Sequence, residues 1–136
     1  MQKIYASINI RKRTPAGKLF VHILENNSGD PVIIQANLGK CGSEALAMTQ
    51  ALAAMCTSLL SDDNGNPIVR GLERCIENLS GYTTDKSVPA EPGIQCRSIP
   101  EGFLLALLDY KRTKFEEFQR EYGIHEIRPR IRRKVG

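Results

Sequence analysis

The sequence has no C-x-x-C pair, only two histidines, and no apolar run approaching the ~20 residues that span a bilayer. Each absence removes a class of function. Cys41, Cys56, Cys75 and Cys96 are widely spaced and lie far from His22 and His125, so the spacing of a zinc site is missing and reduced thiols are expected. The opening MQKIYASINIRKR has no apolar signal-peptide core, so a soluble, cytoplasmic protein without membrane contact is expected. No paired carboxylates, catalytic triad or metal cluster can be picked out, and no internal repeat. The expectation is a binding protein with no metal and no cofactor, not an enzyme.

What is present fits one domain. The 136 residues, 41% of them hydrophobic, suffice for a single core. Lys and Arg outnumber Asp and Glu by 19 to 15, a net charge of +4. Five of those cations, Arg128, Arg130, Arg132, Arg133 and Lys134, lie in the terminal RPRIRRK, which leaves one net negative charge on the remainder. The body is therefore not a basic nucleic-acid-binding domain of the usual kind. The expected division is a domain over 1–123 and a basic tail over 124–136. That tail can add salt-sensitive affinity for nucleic acid, or serve only as a solubilising end, which is the commoner case.

Hydrophobic periodicity orders the elements. Residues 3–13 alternate, with Ile4, Ala6, Ile8 and Ile10 on a buried face and Tyr5, Ser7, Asn9 and Arg11 opposite. Thr14-Pro-Ala-Gly17 turns the chain into a second strand at 18–25, and Asn26–Pro31 into a third at 32–37. Ser43 is the expected N-cap of a helix of about twenty residues with an apolar stripe of Ala45, Met48, Leu52, Met55 and Leu59. Its other face, Ala47, Gln50, Ala51, Ala54 and Ser58, is small enough to admit another backbone. Ile68, Leu72, Cys75, Ile76 and Leu79 predict a second helix over 67–79 with Pro67 in its first turn and Gly81 closing it. Residues 82–97 show no periodicity. A third helix starts near Ser98-Ile-Pro-Glu101 and runs to about Tyr122. Phe103–Leu108 is apolar all round, which calls for cover from a second subunit, and Phe115, Phe118 and Tyr122 form a separate stripe. The fold class is α+β: a three-stranded antiparallel sheet followed by three helices, the last one long and at a subunit interface.

Three stretches are candidate sites. Leu38-Gly-Lys-Cys-Gly-Ser-Glu44 has glycines, a lysine and a serine at a strand-to-helix turn, but its lysine precedes the second glycine, which is the wrong order for a phosphate-binding P-loop. Lys40 and Ser43 can still hold an anion at the helix N-terminus, or the glycines simply make a tight turn. Cys41 has no base beside it in sequence. In the 82–97 loop, Tyr82 can stack on a base and Arg97 can meet a phosphate, unless the first packs on the domain and the second is solvated. Lys111 and Arg112, with Lys114 one turn on, form either a solvated face or a contribution to a neighbouring subunit's pocket.

The order of three strands, Leu38-Gly39-Lys40-Cys41-Gly42-Ser43 opening a long helix, a GLERCIENLSG-type helix, and Ser98-Ile99-Pro100-Glu101 resembles the TSCPD domain. That domain is best known as an appendage of cobalamin-dependent ribonucleotide reductases, and the likeness covers about residues 18–110. Ile99 stands where the family has cysteine, so no redox or metal role is carried over, and no reductase barrel is present to carry reductase chemistry. The free-standing form is similar to the phage Thoeris anti-defence sponge proteins. That resemblance implies a non-enzymatic homo-oligomer in the host cytoplasm that sequesters cyclic ADP-ribose-like or cyclic oligonucleotide immune signals. It further implies pockets shared between subunits, with Tyr82 stacked on the base and Arg112 on phosphate. The alternative it leaves is an accessory or regulatory domain of a ribonucleotide reductase.

Overall fold

Period-two alternation over the first third of the chain produces a three-stranded antiparallel sheet in the order β1 (Ala6–Thr14), β2 (Gly17–Glu25), β3 (Pro31–Gly39). The computed structural model describes residues 4–121. The chain continues through α1 (Ser43–Leu60), α2 (Gly71–Leu79), a hairpin of β4 (Val88–Glu91) and β5 (Ile94–Cys96), and α3 (Ile99–Glu121). No helix among the described residues is long and apolar enough to cross a membrane.

Turn chemistry sets the register. Thr14 Oγ1 accepts the N–H groups of Ala16 and Gly17 at 3.1 and 3.2 Å. Gly17 has φ +146°, and a Cβ there would lie 2.6 Å from the Gly39 carbonyl oxygen, so no larger residue fits. Asn26 Oδ1 accepts from Ser28 and Asp30 at the next turn. The pairing that results puts Thr14 opposite Gly17, Ile23 opposite Ile34, and Lys18 opposite Gly39.

The helices cover one face of this sheet, α1 over β3 and α3 over β1 and β2, with α2 against both. Leu19, Val21, Ile23, Ile34 and Leu38 meet Ala53, Cys56 and Leu60 of α1, Cys75 and Leu79 of α2, and Phe103, Ala106, Leu107 and Tyr110 of α3. A Cβ on Gly102 would come within 2.8 Å of Thr14 and 3.0 Å of Leu19, so the first turn of α3 lies tight against the Thr14–Gly17 end of the sheet. Two charged groups are buried on this covered face, and both are paired. Lys12 Nζ lies 3.2 Å from Glu91 and 2.5 Å from Asp109. Glu25 accepts the Tyr110 hydroxyl and pairs with Lys114 at 3.1 Å. Burial, followed by the bond to Glu25, pushes the Tyr110 phenol above its ordinary value.

Several expectations are corrected by this packing. In β1 the even-numbered residues do face the helices, but burial is concentrated at Lys12 and Thr14, and Ile4 and Ala6 are exposed. On α1 the stripe is rotated: Met48 and Met55 are exposed, while Thr49, Ala53, Cys56 and Leu60 are buried. Hydroxyls can face the sheet here because backbone groups satisfy them. Thr49 Oγ1 donates to the Ala45 carbonyl, and Thr57 Oγ1 accepts the Ile34 N–H at 2.8 Å and lies 3.1 Å from the Ile34 carbonyl. Ser61 Oγ donates to the Val32 carbonyl. The small face of Ala47, Gln50, Ala51, Ala54 and Ser58 points outward.

Helix starts also shift. Gly42, not Ser43, is the N-cap of α1, and no side chain bonds there. Pro67 pairs with Ser61 in an isolated bridge, and α2 begins only at Gly71, after Arg70 in the left-handed region. Gly81, at φ +91°, follows α2 as expected. The stretch 82–97 contains the β4–β5 hairpin, turned at Pro92-Gly93, whose brevity and proline content hide it from a periodicity search. The apolar run of α3 is mostly covered within the chain, by the sheet and α2, leaving Leu108 at 40% exposure and Phe115 at 51%. The side chains of Phe118 and Tyr122, and the basic stretch 124–136, lie outside the described residues.

Candidate functional site

The residues singled out from sequence fall into two groups. At the Thr14–Gly17 end of the sheet, β3 runs through Lys40, exposed with φ 55°, into Ser43, the first residue of α1. Cys41 serves the turn, its thiol donating to the Leu38 carbonyl. α3 starts at the same end, and with it come Tyr82 and Arg97. The Ser98 hydroxyl donates to the Tyr82 carbonyl and accepts the Glu101 N–H at 3.1 Å, capping α3. Ser98-Ile-Pro-Glu101 is thus a helix start, with Pro100 in the first turn and Glu101 accepting the Arg97 N–H at 2.7 Å. Tyr82 is 64% exposed. Lys111 and Arg112 belong to the second group. Arg112 lies thirteen residues beyond Ile99 on α3, about 20 Å along the helix axis. One chain does not bring Tyr82 and Arg112 together.

Three of these cations already have partners. Arg97 makes a two-pronged contact with Glu101, at 3.1 and 2.9 Å. That hydrogen bond holds the Glu101 carboxyl below the usual range and the Arg97 guanidinium above its own. Lys111 lies 3.7 Å from Glu73 and Arg112 2.5 Å from Asp109. A ligand phosphate at any of the three must compete with a carboxylate. The buried Cys75 donates to the Cys56 carbonyl at 3.4 Å, and its hydrogen bond with the Cys56 thiol, with burial, raises its pKa, which suits a packing role and not a nucleophile. A shallow depression lined by Ala54, Ser58, Asp62, Asp63 and Ile68 carries two carboxylates and repels anions.

The sheet face turned away from the helices has the opposite character. Its side chains form rows across the strands: Ser7, Leu24 and Ile33; Asn9, His22 and Gln35; Arg11, Phe20 and Asn37; Arg13, Lys18 and Gly39. No acidic residue stands in any row. Among the described residues, none of Arg11, Arg13 and Lys18 has a carboxylate within ion-pair distance. Arg13 and Lys18 stand directly opposite each other, an arrangement of like charges that disfavours the pairing unless an anion lies between them. Phe20 and His22, both half-buried, occupy alternate positions of the central strand about 7 Å apart. The Phe20 ring extends over Gly39, where a Cβ would be 3.5 Å from Cε2. His22 Nδ1 lies 2.6 Å from Asn9 Oδ1.

No family model matches the sequence, and no curated protein or solved structure does either. The open face is a candidate site that reading one strand at a time misses. Its signal was available in the turn at Thr14–Gly17, which fixes the register and so sets Lys18, Phe20 and His22 beside Arg13, Arg11 and Asn9.

Proposed function

We propose that the chain is a non-enzymatic nucleotide-binding protein whose ligand lies on the open face of the sheet. The observation that carries this is a group of cations with no carboxylate partner among the described residues, Arg11, Arg13 and Lys18, set beside the rings of Phe20 and His22. Phosphate charge meets the first and base faces meet the second. Among the described residues the face has no carboxylate to act as a general base, and His22 is tied to Asn9, which favours capture over turnover. The test is equilibrium dialysis against ATP, cyclic ADP-ribose, a cyclic dinucleotide and a short oligothymidylate, followed by heat release. Binding with intact ligand recovered, lost in Arg13→Glu/Lys18→Glu, is expected. Degraded ligand, or no binding to any of the four, overturns the proposal.

A second reading follows from the TSCPD and sponge resemblance: a cyclic ADP-ribose-like or cyclic oligonucleotide signal held between subunits, with Tyr82 and Arg97 from one copy and Lys111 and Arg112 from another. It is favoured by the exposed Tyr82 ring and by Leu108 and Phe115, which face outward on α3 and offer a second copy a seat. Here Arg112→Ala abolishes binding and Arg13→Glu leaves it intact, the reverse of the first reading.

A further inference from the structure

The open face differs from a small-molecule site in shape. Nucleotide pockets enclose most of their ligand, whereas this face is a sheet surface about 20 Å long and about 10 Å wide with no wall among the described residues. A small nucleotide laid on it leaves most of its surface in water. A longer ligand gains affinity from repeated weak contacts along the face.

We infer that the open face binds single-stranded nucleic acid, with two successive bases on Phe20 and His22 and the backbone following Arg11, Arg13 and Lys18. This rests on the reading that the open face is the nucleotide site. Stacking on rings is available only to unpaired bases, because duplex bases already stack on one another. The rows place the parts in a usable order. Arg13 and Lys18 form a cationic end, and Phe20, between Arg11 and Asn37, comes next along β2. His22, between Asn9 and Gln35, follows, so that each ring is flanked by an amide able to meet base edges. Leu24 and Ile33 close the row series with an apolar end.

Charge also decides against the competing occupant. A second copy docked through the same face by two-fold symmetry supplies no acidic residue, among the described residues of either face, to neutralise Arg11, Arg13 and Lys18. The cations elsewhere show what a satisfied charge looks like in this molecule: Lys12, one residue from Arg11 and from Arg13 but on the covered face, has two carboxylates. The near-neutral body conceals this division. No acidic residue stands in the rows of the open face, so net charge alone understates the affinity of that face for a polyanion.

The experiment is fluorescence anisotropy of the full chain with labelled twelve-residue oligothymidylate and oligouridylate, a duplex of the same length, and ATP as competitor. Expected are binding of the single strands at least tenfold tighter than of the duplex or ATP, and a log–log salt slope of about −2 from three phosphate contacts. Arg13→Glu/Lys18→Glu should weaken single-strand binding tenfold or more. Phe20→Leu, which keeps an apolar side chain but removes the ring, should weaken it by about fivefold or more. Melting curves of both variants serve as the folding control. Equal affinity for duplex and single strand overturns the inference, as does unaltered binding by the variants or complete loss on removing residues 124–136. If ATP or a cyclic nucleotide competes at the same face as tightly as the oligonucleotide binds, this inference fails while the nucleotide-binding proposal stands. If nothing binds, both fail.

Discussion

Arg11, Lys12 and Arg13 are consecutive cations in one strand, yet two of them are exposed with no carboxylate partner among the described residues, and the one between them is 7% exposed and held by two carboxylates. The two faces of the sheet obey different rules. On the covered face a charge is tolerated only if it is neutralised, and hydroxyls only if the backbone satisfies them. On the open face neither condition applies, and groups that cost stability when brought together, such as Arg13 opposite Lys18, remain side by side. Features that packing explains belong to the fold; those it does not explain are the basis of the proposed ligand site.

The comparison can be broken most forcefully at β2, where adjacent residues face opposite ways. Leu19→Ala empties a fully buried position and should cost about 3 kcal/mol in denaturant unfolding, whereas Phe20→Leu next to it should cost about 1 kcal/mol or less. Similar costs at both positions would mean that the open face is not open in solution.

A smaller effect tests the buried ammonium. Glu91→Gln/Asp109→Asn strands Lys12 beside neutral groups and should cost about 2 kcal/mol, below the value for a fully enclosed pair because both carboxylates are partly exposed. Lys12→Met removes the charge instead and should cost about 1 kcal/mol or less. The reverse order would show that the carboxylates, not the ammonium, carry the burial penalty.

The smallest effect has the opposite sign. Arg13→Glu converts a like-charge pair with Lys18 into an attractive one and should stabilise the fold by about 0.3 kcal/mol at low salt, while weakening the proposed anion binding. A variant that gains stability as it loses its ligand would identify Arg13 as a residue retained for binding. A stability loss would instead assign it a structural role.

These contrasts also show how much could be read in the sequence. Alternation in residues 3–13, the turns at Thr14–Gly17 and Asn26–Pro31, and helical spacing after Ser43 were enough for the sheet and the three helices, because each follows from local chemistry. The phase of α1 was not legible. Hydropathy favours Met48 and Met55 as core, but Thr49 and Thr57 become suitable inward residues only when Ala45 and Ile34 supply their hydrogen-bond partners, which is a tertiary fact. The site was legible only in pieces. Tyr82 and Arg97 share one end of the fold, but Glu101 already holds the Arg97 guanidinium, and a pairing four residues apart across a helix start is easily overlooked. The open face is assembled from three strands, and none of them alone announces it.

The bonds from α1 to β3 have a consequence for solubility. Ile34 is turned so that its N–H and C=O point away from β2, and the Thr57 hydroxyl occupies both, while Ser61 occupies the Val32 carbonyl. A strand that ends a sheet ordinarily presents such groups as a template on which another chain can pair and aggregate. Here two short side chains, one on α1 and one at its C-cap, occupy part of that template at Val32 and Ile34, which disfavours growth of the sheet at β3.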